Sequence, residues 1–87
     1  MPAERAPAAA LTLYGREGCH LCEAMEAALQ RLRPRFAFDL ACVDIDDDPA
    51  LARRYGALVP VLVAEGRELC HHVLDEAALA AYLAGIG

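Results

Sequence analysis

The sequence of 87 residues has no long apolar run, no lysine and no cluster of basic residues. No segment approaches the roughly 20 consecutive apolar residues that a transmembrane helix needs, so we expect no membrane-spanning helix. All eight basic residues are arginines, and the formal net charge is −5. We therefore expect neither nucleic acid nor an anionic membrane surface among the partners.

The N-terminal segment 1–10 lacks the leucine-rich core of a secretory signal peptide. It holds one arginine, one glutamate and two prolines among small apolar residues. We expect a flexible tail over 1–10, a single domain over 11–87 and a cytoplasmic location. In a reducing compartment four cysteines are not by default a framework of structural disulfides, and a C-x-x-C pair is more often redox-active.

The strongest chemical signal is a pair of thiols, Cys19 and Cys22, separated by two residues and preceded by Gly18. Apolar residues recur downstream with helical spacing and predict a helix that ends near Arg33. Cys19 then lies at the start of this helix, where unpaired N–H groups and the helix dipole stabilise a thiolate. Cys22 is close to the same helical turn and is placed to close a disulfide.

A zinc half-site and a redox-silent dithiol are the alternatives for this pair. Zinc needs four ligands, and the remaining candidates form no second ligand pair with familiar spacing; they are Cys42, Cys70, His71 and His72. We expect Cys42, in an apolar segment, to be a small buried side chain. Cys70 is less clear, because the two histidines after it would let it bind a metal incidentally.

The acidic run 46–48 lacks the glycine and the closing glutamate of an EF-hand loop. We therefore expect these aspartates to cap a helix and to lie in a solvated turn. Asp44, just before the run, is a candidate proton acceptor for the buried thiol of the pair.

Apolar periodicity, caps and turns predict the element order β-α-β-α-β-β-α. The pair Asp48-Pro49 is typical of a helix start, and Gly56 is expected to end this second helix in a left-handed conformation. The pair Glu65-Gly66 has the pattern of a two-residue hairpin turn. The predicted strands are 11–14, 36–45, 58–63 and 67–72, and we expect the second to be mostly buried.

A final helix is predicted after Asp75, which would cap it, with an apolar stripe that reaches Ile86. A βαβ unit of this size needs parallel first and second strands, and the hairpin adds two antiparallel strands. We therefore predict an α/β domain in which helices cover both faces of a four-stranded mixed sheet.

The strand, the C-x-x-C pair at a helix start and the Val59-Pro60 dipeptide before a hairpin resemble the thioredoxin fold in its small glutaredoxin-like form. The stretch 14–22, Tyr-Gly-Arg-Glu-Gly-Cys-His-Leu-Cys, resembles the glutaredoxin stretch Tyr-Ser-Lys-Pro-Gly-Cys-Pro-Tyr-Cys. The version Gly-Cys-His-Leu-Cys-Glu is more similar to a bacterial glutaredoxin-like family. The similarity extends over nearly the whole chain after Ala10.

This resemblance implies a thiol-disulfide oxidoreductase without a resident cofactor, acting on a protein disulfide or on a low-molecular-weight one, with glutathione as a candidate co-substrate. It implies that Cys19 is the nucleophile and Cys22 the resolving thiol. The resemblance also implies which residues contact the substrate. Pro60 would be a cis-proline, and the backbone of Val59 before it would meet the substrate. Arg16 stands in place of a glutathione-binding lysine, and Asp75 matches an acid after the hairpin.

Two positions differ from the glutaredoxin pattern. His71-His72 stand near a glycine pair that approaches glutathione, and two imidazoles there would crowd the pocket. His20 replaces a proline; protonated, it would stabilise the Cys19 thiolate further, and the alternative is a solvated side chain.

We expect a monomer. A binding module of the same fold, or an iron–sulfur protein ligated through Cys19 in a dimer, is the alternative function.

Overall fold

The computed structural model describes residues 9–85, which form one sheet of four strands and three α-helices. The elements in chain order are β1 (Ala9–Gly15), α1 (His20–Leu32), β2 (Phe38–Asp44), a 3₁₀ turn (Ile45–Asp47), α2 (Pro49–Tyr55), β3 (Val61–Ala64), β4 (Arg67–His71) and α3 (Glu76–Gly85). The predicted element order and the mixed α/β fold are therefore confirmed. The predicted tail falls mostly on residues 1–8, and Ile86 follows α3; both lie outside the described residues.

The sheet has the order β2-β1-β3-β4. β1 is parallel to β2 and antiparallel to β3, and β4 returns antiparallel beside β3. Register places Gly15 beside Asp44, Tyr14 opposite Val61, and Val61 opposite His71. Consequently the loops after β1, after β2, before β3 and after β4 all meet at one end of the sheet.

Each face of the sheet has its own apolar cluster. The larger cluster packs α1 and α3 against one face, with Leu29 and Leu79 almost completely buried. The smaller cluster packs α2 and the 3₁₀ turn against the other face through Tyr55 and Ile45. The alternate residues of β3 enter the two clusters in turn, so all four are buried. Because β3 is covered on both faces, its sequence is a continuous apolar run.

Two local predictions were wrong. β2 is mostly accessible, with only Phe38 fully buried, because it is an edge strand and α1 covers only part of it. Gly56 follows α2 with φ −55°, a right-handed and not a left-handed conformation. A Cβ atom at Gly56 would lie 2.5 Å from the carbonyl oxygen of Ala52, so close approach and not positive φ is what requires glycine there.

The predicted N-terminal caps of α2 and α3 and the predicted hairpin turn are confirmed. The Asp48 carboxylate accepts from the Ala50 N–H at the start of α2, and the Asp75 carboxylate accepts from the Ala78 N–H at the start of α3. Glu65 and Gly66 both have positive φ, as a tight hairpin turn requires. Within residues 9–85 no helix has the length and apolar character needed to cross a membrane.

The core face of α1 makes a direct stability prediction. Leu29→Ala removes a side chain with no solvent exposure, and we expect it to lower the free energy of unfolding by about 3 kcal/mol. Leu21→Ala on the same helix is the matched control, because Leu21 is 50% exposed and its truncation should cost less than about 1 kcal/mol. Urea denaturation of both variants measures the difference, and equal losses would contradict the assigned core.

Candidate functional site

The first cysteine is positioned by the turn between β1 and α1. Gly18 has φ +79°, a conformation that glycine adopts without strain, and it directs the chain into the helix. Cys19 is the N-cap of α1, with extended backbone, and its Sγ accepts a hydrogen bond of 3.1 Å from the backbone N–H of Cys22. The predicted placement of Cys19 at the helix start is confirmed.

The two cysteines form a disulfide, with their Cα atoms 5.2 Å apart. Cys19 is half-buried, whereas Cys22 is only 8% exposed and faces the sheet. A Cβ atom at Gly15 would lie 3.0 Å from the Sγ of Cys22, so a side chain at the end of β1 would press on the inner sulfur. Cys19 is therefore the more accessible cysteine of the pair.

A second loop at the same end of the sheet contains the Val59-Pro60 peptide bond, which is cis as predicted. The carbonyl oxygen of Pro60 accepts a 2.8 Å hydrogen bond from the N–H of His72. The N–H of Val59 donates to the carbonyl oxygen of Tyr55 at 3.1 Å. The backbone donor that was predicted to meet a substrate at Val59 is thus already engaged within the chain.

His72 joins this loop to the segment after β4. It has φ +67°, unusual for a residue with a side chain, and its Nε2 donates to the carbonyl oxygen of Ala57 at 3.1 Å. With its backbone bond to Pro60, His72 connects the two loops at two points. The sequence predicted His72 as a bulky replacement for glycine and as a candidate metal ligand; its contact with Ala57 was not predicted, because that residue is 15 positions away in the chain.

Arg16 lies in the turn before Cys19, but its guanidinium is occupied. It binds the Asp46 carboxylate through two nitrogens at 3.0 and 3.3 Å and donates to the carbonyl oxygen of Gly56 at 3.4 Å. The backbone carbonyl of Arg16 accepts from the N–H of Cys19 at 3.3 Å. Arg16 therefore connects the cysteine turn to the segments on either side of α2.

The other predicted contacts lie around the same end. His20 is fully solvent-facing, with a side chain 98% exposed, and its Nδ1 is 4.0 Å from a carboxylate oxygen of Glu23. Asp75 is used as the cap of α3. The exposure of His20 matches the alternative of a solvated side chain. That a protonated His20 stabilises the Cys19 thiolate stays a prediction.

A groove of about 470 Å³ runs along α1 and β2, and Cys19 is not among the residues that line it. Cys22, Glu26, Cys42 and Asp44 are among its lining residues. The prediction that Cys42 is buried was wrong. Cys42 is exposed because it lies on an edge strand, beyond the part that α1 covers. Asp44 also caps the 3₁₀ turn by accepting from the N–H of Asp46.

The pKa of each of the two free thiols, Cys42 and Cys70, is raised. Partial burial is the largest of the causes that raise the pKa of Cys42. The negative charge of Glu26, and a hydrogen bond from the thiol to that side chain, raise this pKa further. Burial also raises the pKa of Cys70, which lies in the larger apolar cluster. His71 pairs with Glu68, and within residues 9–85 no three His, Cys, Asp or Glu side chains are grouped to hold a metal ion.

The influence of Glu26 on Cys42 is testable in the oxidised protein. Glu26→Gln removes the negative charge that disfavours the Cys42 thiolate, and we expect alkylation of Cys42 at pH 8 to become about threefold faster. Glu23→Gln is the matched control, since Glu23 lines the same groove without acting on Cys42. Mass spectrometry of iodoacetamide-treated protein measures the rate, and an unchanged rate in Glu26→Gln would contradict the assignment.

Comparison with known proteins places the chain in a family. A profile described as "Glutaredoxin-like domain (DUF836)" matches residues 10–84. An uncharacterised protein of Mycobacterium tuberculosis is 31% identical over 77 residues, which cover 83% of this chain and 79% of that protein.

Solved structures show the same relationship. The solution structure of a Nitrosomonas europaea protein is 46% identical, covers 95% of this chain and 99% of that one, and has a TM-score of 0.82. A mutant thioredoxin from Halobacterium salinarum is 28% identical, covers 91% of this chain and 74% of its own, and has a TM-score of 0.59. The chain is therefore a member of the glutaredoxin-like DUF836 family, with a thioredoxin fold and a Cys19–Cys22 disulfide.

Proposed function

We propose that the protein is a thiol-disulfide oxidoreductase that exchanges a Cys19/Cys22 dithiol for a disulfide in its substrate. The observation that carries this proposal is the Sγ of Cys19 at the N-cap of α1, half-buried, with the Cys22 N–H directed at it. A backbone donor and a helix N-terminus both favour the anionic form of sulfur, and the thiolate is the attacking species in disulfide exchange.

The proposed reaction has two exchange steps. The Cys19 thiolate attacks one sulfur of the substrate disulfide, that bond breaks, and the departing substrate sulfur leaves as a thiolate that takes up a proton. Cys22, deprotonated, then attacks the Cys19 sulfur of the mixed disulfide and releases the second substrate sulfur as a thiolate. Two electrons pass to the substrate, and the protein is left with the Cys19–Cys22 disulfide, which an external thiol must reduce before the next cycle.

The unequal burial of the two sulfurs supports this division of roles. The attacking sulfur must meet a bulky substrate, and Cys19 is the more accessible of the two. The resolving sulfur needs only to reach its neighbour, and Cys22 is inside the turn within disulfide distance. Burial protects Cys22 from direct attack, so the mixed disulfide is directed to Cys19.

Two single-sulfur variants test the proposal. Cys19→Ser is expected to abolish reduction of a peptide disulfide by the reduced protein, a loss of at least about 100-fold, because no accessible thiolate remains. Cys22→Ser is expected to accumulate one equivalent of mixed disulfide at Cys19, because the resolving thiol is missing. Acid-quenched samples analysed by mass spectrometry distinguish the two states.

Cys42→Ser is the control for these variants, since Cys42 is also a free thiol but lies on the edge strand. It should reduce the same peptide at the unmodified rate. A Cys19→Ser variant that still reduces the peptide would overturn the proposed function, as would a Cys22→Ser variant that carries the mixed disulfide on Cys42.

A further inference from the structure

The polar groups around Cys19 are mostly engaged within the chain. The Arg16 guanidinium is bound to Asp46 and to the carbonyl oxygen of Gly56. The N–H of Val59 is bound to Tyr55, and the Asp75 carboxylate caps α3. A charged ligand would have to compete with these bonds, because each of these groups already has a partner within the chain.

The same region also presents two large apolar side chains to solvent. Leu21 is 50% exposed and Val73 is 67% exposed. Leu21 is two residues after Cys19, and Val73 directly follows His72. Between them runs a groove of about 230 Å³, with an apolar stripe of α1 on one side and the loop after β4 on the other; its polar members are His72 and Glu76.

The groove lies near the end of the sheet that holds the disulfide, because Leu21 and His72 line it. It begins on the first turn of the helix that Cys19 caps, and its far wall is the loop that His72 ties to the Pro60 loop. An extended chain with its cysteine at Cys19 would therefore carry a neighbouring side chain over this groove. Exposed apolar surface beside a reactive group is typical of a binding site.

The charge of the groove also selects its occupant. The described residues that line it include no lysine or arginine; Glu76 is acidic, and the Nε2 of His72 is already bonded to the carbonyl oxygen of Ala57. Glutathione has two carboxylates and one ammonium group, so its net charge is negative, and Glu76 disfavours a further negative charge in the groove. An aliphatic side chain of a polypeptide gains free energy by leaving water in the same place.

We infer that this protein takes polypeptide disulfides in which a large apolar side chain neighbours the reacting cysteine, in preference to glutathione disulfide, and that the groove between Leu21 and Val73 binds that side chain. This inference rests on the proposed function, because it names the substrate class of the same Cys19 site. The groove acts on binding and not on the exchange chemistry itself.

The test compares three probes on the reduced Cys22→Ser protein, in which the Cys19 mixed disulfide accumulates. Two peptide disulfides differ only at the residue beside cysteine, leucine in one and asparagine in the other, which are similar in size and uncharged. The third probe is oxidised glutathione. We expect the leucine peptide to form the mixed disulfide about tenfold faster than the asparagine peptide, and glutathione disulfide to be slower than the leucine peptide.

A substitution at the groove supplies the second readout. Val73→Ser, at a strongly exposed position, should bring the leucine-to-asparagine rate ratio close to one. Gln30→Ser is the control, since Gln30 is exposed near the other end of α1 and should leave the ratio unchanged.

Equal rates for the two peptides, or glutathione disulfide reacting as fast as the leucine peptide, would overturn the inference while the proposed function stands. A ratio that persists in Val73→Ser would also overturn it. No mixed disulfide with any of the three probes would instead overturn the proposed function.

Discussion

The hydrogen bond from the Cys22 N–H to the Sγ of Cys19 is the interaction on which the site depends, because it makes a sulfur the cap of α1. An N-cap normally carries an oxygen that satisfies a free backbone donor. Here the same donor and the same helix dipole act on a sulfur, so the feature that begins the helix also favours the thiolate that the proposed function requires. Placing the cysteine at this position therefore serves folding and chemistry together.

The sheet fixes the position of Cys19 relative to the other loops. Three loops besides the cysteine turn leave the sheet at the same end, and each is bonded to another one. Arg16 connects the cysteine turn to Asp46 and Gly56, and His72 connects the segment after β4 to the Pro60 loop. The two apolar clusters hold the helices on opposite faces of the sheet, so the loops between them have little freedom to separate.

These connections have a consequence for recognition. Several polar groups near the disulfide are used to bind loop to loop or to cap a helix, and two large aliphatic side chains, Leu21 and Val73, are exposed in the same region. A rigid frame and a polar ligand pocket compete for the same donors and acceptors when the domain is this small. In this chain the frame takes these polar groups, and the groove that we propose for the substrate side chain is mostly apolar.

Local chemistry in the sequence determined much of the result. Helical spacing after Cys19, the Asp48-Pro49 start, the Glu65-Gly66 turn and the Asp75 cap each act within a few residues, and each is found where it was predicted. Such signals depend on backbone donors and φ angles that a single residue controls. The element order and the mixed sheet follow from them.

Only the tertiary structure decided which residues of different segments meet. The exposure of Cys42 depends on how far α1 extends over an edge strand, and the side-chain hydrogen bonds of Arg16 and His72 join groups that are 15 to 40 residues apart. Gly56 was wrongly assigned a left-handed conformation because what it accommodates is a close backbone contact. Local sequence specifies backbone conformation, whereas burial and the choice of hydrogen-bond partner are set by which surfaces face each other after folding.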